Sequence, residues 1–135
     1  MRIATLLVCL LAATACDESP TGPTVTLDQQ FTLAPGETAS IDGRGARLRF
    51  EGVTGDSRCP VDAICIQGGD AVVKVQASGD GGSVSLELHT GDSSRAAATY
   101  GNLRVALLEV QPYPFSSRTT APGDYRATLL VTASR

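Results

Sequence analysis

The sequence predicts an all-β chain: a small antiparallel β-sandwich of immunoglobulin-like type with seven to eight strands, an open β-barrel being the alternative. Three observations carry that prediction. From Thr24 onward apolar residues recur with period two, clusters of Gly, Pro, Asp and Ser interrupt them at short intervals, and no stretch holds a convincing helical period. With 135 residues and 42% hydrophobic content, the chain suits one folded domain with a core of its own.

Val25 and Leu27 begin a short strand, and Phe31 and Leu33 a second. Ala34-Pro35-Gly36-Glu37 fits a type II turn, with Pro fixing φ and Gly supplying a positive one. Ala39 and Ile41 lead back to a further turn at Asp42-Gly43-Arg44-Gly45. Beyond it Ala46, Leu48 and Phe50 alternate with Arg47, Arg49 and Glu51, so one face is buried and one wet. A long break covers 52–70. Ala71, Val73, Val75 and Ala77 face Val84, Leu86 and Leu88 across the turn at 78–82, which makes the clearest hairpin. The segment 95–100 is ambiguous, because its three alanines would also suit a short helical turn. Leu103, Val105 and Leu107 alternate with Ala106 and Leu108, and apolar groups on both faces predict a central strand. After a loop at 112–123, Tyr125, Ala127, Leu129 and Val131 form the last strand, with Tyr125 expected as a half-buried strand residue rather than a corner-type donor.

The amino terminus reads differently. Met1-Arg2 precedes an uncharged run at 3–13 that fits the apolar region of a secretory signal and falls short of the ~20 residues that span a bilayer. Ala13-Thr14-Ala15-Cys16 resembles a bacterial lipobox, which implies cleavage after Ala15 and a lipid on the Cys16 sulfur; an ordinary secretory signal is the alternative. The expected organisation is a lipoprotein signal peptide at 1–15, a lipidated flexible tether at 16–23 and a β-sandwich domain at 24–135. Two or three acyl chains anchor stably where one does not. The expected location is the bacterial cell envelope, membrane-anchored and facing the periplasm or the cell exterior.

Of four cysteines, Cys59 and Cys65 remain for the domain. In an exported chain such a pair is expected to form a structural disulfide, stabilising by roughly 2 to 2.5 kcal/mol through loop closure. Redox pairs usually have two intervening residues, where this pair has five, and zinc would need two more ligands although His89 is the only histidine.

Little else suits chemistry. The net charge of −3, with ten of eleven cations being Arg, argues against a nucleic-acid partner. His89 falls on the polar phase of a strand and is expected to be an exposed or edge histidine, which leaves Ser/His catalysis without a base. Asp56, Asp62 and Asp70 flank the cysteine loop; solvated loop acids are expected, calcium ligands being the rival reading. Gly68-Gly69 is read as a turn into the next strand. No catalytic residue, metal or cofactor is expected.

Two loops stand out as recognition candidates. Pro60, Val61, Asp62 and Ile64 lie within the clamped loop with Gln67 just beyond it, and Tyr113 and Phe115 are held between prolines. The commoner use of such side chains, and the one the sequence favours, is to cap the end and edge of the sandwich.

Asp56-Ser57-Arg58-Cys59-Pro60, four residues and then Cys65-Ile66-Gln67-Gly68-Gly69-Asp70 resemble the signature of a family of small bacterial lipoproteins. Leu48-Arg49-Phe50-Glu51-Gly52-Val53, Pro112-Tyr113-Pro114 and Asp124-Tyr125-Arg126 are similar too, so the likeness covers nearly all of 24–135. It implies a lipid-anchored β domain and brings no activity; members often carry Trp where this chain has Gln67. The expected function is a non-catalytic binding or accessory module of the envelope that meets the membrane through its lipid and an unknown protein or glycan through its loops. A surface protease inhibitor presenting the Cys59 to Cys65 loop, and a hydrolase with an unrecognised carboxylate site, are the alternatives.

Overall fold

A computed structural model describes residues 22–135. The signal peptide read at 1–15 and the lipidation site Cys16 lie outside the described residues. Among the described residues nine strands form two sheets. These are β1 (Thr24–Val25), β2 (Gln30–Leu33), β3 (Thr38–Ile41), β4 (Ala46–Asp56), β5 (Ala71–Gly79), β6 (Gly82–His89), β7 (Ala97–Tyr100), β8 (Leu103–Gln111) and β9 (Arg126–Ala133). One sheet has the order β1-β3-β4-β5-β6 and the other β2-β9-β8-β7. The two share a single core, and neither closes into a barrel.

Period two is visible in the burial itself. Ala46, Leu48 and Phe50 are buried while Arg47, Arg49 and Glu51 are exposed, and Ala71, Val73, Val75 and Ala77 line the same interior. The second sheet contributes Leu33, Val105, Val110, Leu129 and Val131. The turn at 34–37 forms as expected, Glu37 N–H donating to Ala34 O at 3.0 Å, but it carries the chain from one sheet to the other instead of closing a hairpin. β8 is central in its sheet, between β9 and β7.

Four expectations need correction. The break predicted at 52–70 is shorter, because β4 continues to Asp56; Gly52, at φ 142°, accommodates the first of two register shifts that upset the alternation there. Within the ambiguous segment 95–100 the strand form wins over 97–100, which is β7, with Ala97 opposite Ala106 and Ala98 opposite Val105. One pair of strands is parallel: β1 lies beside β3 with Thr24 opposite Ser40. Tyr125 precedes β9 and is buried, its hydroxyl bonding a carboxylate.

β4 ends and β5 begins at the same pole of the sandwich, as do β8 and β9. The two long connections, 57–70 and 112–125, therefore rise side by side.

Candidate functional site

Arg58 joins the two loops. Its Nε and Nη2 donate to Asp56 Oδ1 and Oδ2 at 2.8 and 2.7 Å, Nη1 donates to Val110 O at 2.6 Å, and Nη2 also reaches Pro112 O at 2.8 Å. Tyr125 OH donates to Asp56 Oδ2 at 3.1 Å. Burial alone would raise the Asp56 pKa, but the Arg58 hydrogen bonds and charge outweigh it and hold the carboxyl below its usual range. The same bond raises the pKa of Arg58. Asp56 is thus no solvated loop acid, because the Arg58 guanidinium, the Arg58 backbone N–H and the Tyr125 hydroxyl all donate to its oxygens.

A second knot closes the base of the 57–70 loop. His89 ends the edge strand β6, in keeping with the exposed or edge position expected for it, but it is buried rather than exposed. Its Nδ1 meets Asp70 Oδ2 at 2.5 Å and its Nε2 meets Glu87 Oε1 at 3.2 Å. A carboxylate oxygen at each ring nitrogen favours the doubly protonated ring, in which both nitrogens donate. Chiefly through the Asp70 bond, the His89 pKa is raised. Asp70 also accepts from Gly91 N–H at 2.8 Å, so it too is engaged rather than solvated. Burial pushes the Asp70 carboxyl up, yet the Gly91 N–H and His89 bring it below the usual value. Strand alternation places His89 outward; at the end of β6 its N–H donates to Arg95 O at 3.0 Å, and its ring is held between Asp70 and Glu87. Gly69 is required here, since a Cβ on it would fall 1.5 Å from Ser57 O.

The two recognition loops form one surface. Val61 N–H donates to Pro114 O at 3.0 Å, and Asp62 accepts from Ser116 N–H at 2.9 Å and from Ser116 Oγ at 2.5 Å. These bonds lower the Asp62 pKa although the residue is exposed. The Arg58 guanidinium lies 5.3 Å from the Tyr113 ring, and Arg118 sits 4.5 Å over Phe115. Cys59 and Cys65 are disulfide-bonded, their Cα atoms 6.0 Å apart. The capping expectation fails. Ile64 and Ile66 are 104% and 105% exposed, and Val61, Leu108, Tyr113 and Phe115 also face solvent. The hydrogen bonds that pin these loops are made by backbone and polar atoms, which leaves the apolar side chains outside the core. Between the loops a depression of about 310 Å³ is walled by Arg58, Gly69, Thr90, Leu108 and Tyr113.

No family model, curated protein or solved structure matches the chain.

The structure brings Pro60, Val61, Asp62, Ile64, Tyr113 and Phe115 to one pole, and Gln67 is exposed on the same connection. Sequence reasoning missed Arg58, His89, Ile66 and Leu108. Asp56 and Arg58, two apart and so on one side of an extended segment, are the one signal that would have exposed the ion pair. Chemically the site can bind and orient. His89 has both nitrogens occupied, Asp56 and Asp70 are saturated, and among the described residues no three His, Cys, Asp or Glu gather for a metal. Among the described residues no helix is long and apolar enough to cross a membrane.

Proposed function

We propose that the protein is a lipid-anchored, non-catalytic envelope protein whose loop pole is its binding surface. One observation carries the binding half: among the described residues, six of the seven exposed large hydrophobic residues gather at 61–66 and 108–115, five on loops pinned by a disulfide and by Arg58 and the sixth, Leu108, on the adjoining end of β8. Monomeric soluble surfaces seldom gather apolar side chains in this way without a use for them. Loops already held in shape lose little entropy when they bind. The anchoring half rests on Ala13-Thr14-Ala15-Cys16.

The protease-inhibitor reading draws no support from the loop. Ala63 N–H donates to Pro60 O at 3.1 Å, which folds 60–63 into a turn, whereas a cleft that pairs with a peptide takes an extended one. A carboxylate hydrolase is not pursued, because Asp56 and Asp70 spend their oxygens on structural partners.

Palmitate labelling of the expressed chain tests the anchor. Label that disappears in Cys16→Ser, with precursor accumulating under globomycin, is expected, and an unlabelled wild-type chain would remove it. A photoreactive residue at position 64 tests the surface: adducts in whole cells from position 64, and none from position 47 on the exposed sheet face, are expected.

A further inference from the structure

We propose that the loop pole docks onto the bilayer holding the anchor, with Ile64 and Ile66 at the boundary between headgroups and acyl chains and Tyr113 and Phe115 among the headgroups. This rests on the anchored reading above and names what the surface binds.

The path of the chain supports it. Thr24 lies level with Ser40, which pairs with Arg47 on β4. From Arg47, β4 climbs nine residues to Asp56 at the loop pole, about 30 Å at ~3.3 Å per residue. β1 runs parallel to β3 and so opposite to β4, which means the chain enters the fold travelling away from the loop pole. Pro23, whose carbonyl accepts from Ser40 N–H at 2.9 Å, already lies on the loop side of Thr24. Eight residues from Cys16 to Thr24 have a contour of about 26 to 29 Å. That length matches the climb, so an anchored Cys16 can stand level with the loops.

Surface chemistry selects this pole over the other. The opposite pole is built from turns bearing Asp42, Arg44, Asp80 and Asn102, all costly to desolvate. The loop pole offers two wholly exposed isoleucines beside two aromatic rings, an apolar tip with an amphipathic collar, which is the layering a bilayer interface takes. Arg118 stacks on Phe115 and stays at phosphate depth with Asp62, whose carboxylate is tied to Ser116. Arg58 is buried against Asp56, and Asp62, Asp92 and Asp124 at this pole are largely offset by Arg95 and Arg118, so the pole has little net charge and zwitterionic lipid suffices.

The chain contains no Trp, so a single introduced indole reports without background. The test uses full-length lipidated Ile64→Trp, Ile66→Trp and, at the far pole, Val84→Trp chains in phosphatidylcholine and phosphatidylethanolamine vesicles. Lipids brominated near the glycerol end should quench the indole at positions 64 and 66 about threefold or more over that at 84, with blue-shifted emission. Equal, solvent-like emission at 64 and 84 in a chain that sediments with the vesicles overturns the docking and leaves the anchor standing. A chain that carries no palmitate and stays in the supernatant overturns the anchor, and the docking with it. Shielding of position 64 that lipid alone does not give and added envelope protein does assigns the surface to a protein partner and overturns the docking.

Discussion

Arg58 Nη2 lies 2.7 Å from Asp56 Oδ2, two residues back along the chain, and about nine-tenths of each side chain is removed from solvent. The guanidinium also holds the carbonyls of Val110 on β8 and of Pro112 just beyond it, so one ion pair fastens both loops. Removing one partner of a buried pair strands the other charge, at about 3 to 5 kcal/mol. Arg58→Met should therefore cost that much in urea unfolding, and adding Asp56→Asn should recover part of it. Strict additivity in the double-mutant cycle would show that the pair does not couple.

The His89 knot sets a pH optimum. The His89 pKa is raised from 6.5, so its contribution is complete below about that pH and fades as pH rises through the folded value. The Asp70 pKa is lowered from 3.8, so its share is complete above that pH and fades as pH falls through the folded value. Thermal stability should peak between these limits and decline on the alkaline side. In His89→Gln the alkaline decline should vanish, and a wild-type-like pH profile in that variant would refute the assignment.

Reducing the Cys59 to Cys65 disulfide should lower stability by roughly 2 to 2.5 kcal/mol. The strands should persist in circular dichroism, while limited proteolysis opens new cuts within 59–68. Collapse of the β signal on reduction would mean that the bond holds more than its loop.

Exposure and energy should part company among the large apolar residues. Ile64→Ser and Ile66→Ser should each change unfolding free energy by less than about 0.5 kcal/mol, because both side chains stand in water. Phe50→Ala, fully buried, should cost about 3 to 5 kcal/mol. Comparable midpoint shifts for these variants would contradict the burial.

Gly69→Ala should detach the loop base. The added methyl would lie on the Ser57 carbonyl, so Ser57 N–H could not keep its 2.7 Å bond to Asp70 O. Amide exchange at Ser57 should rise severalfold while that of Val75 stays unchanged.

The sandwich was legible because period two survives wherever a strand has one wet face, as in 46–51 and 71–77. It failed where geometry outside the strand decides. The shifts at Gly52 and Gly55 break the alternation on β4, and a histidine that its strand phase places outside is buried between Asp70 and Glu87, the former nineteen residues away in the chain. The two recognition loops were legible one by one, from their prolines, aromatics and cysteines. Their union was not, since Val61 meets Pro114 and Asp62 meets Ser116 across more than fifty residues of chain, and no local pattern encodes a contact at that distance.

The parallel seating of β1 has a mechanical side. A pull on the amino-terminal segment toward the loop pole acts along β1, so the bonds from Ser40 N–H to Pro23 O and from Asp42 N–H to Val25 O take the load together, in shear rather than by peeling. When they yield, the four residues 22–25 come free and lengthen the amino-terminal segment by about 14 Å, at ~3.5 Å each. The β3 edge is then uncovered and open to pairing with a neighbouring chain. Under the proposed anchoring, β1 would be both a strain gauge for the tether and a guard strip for the sheet.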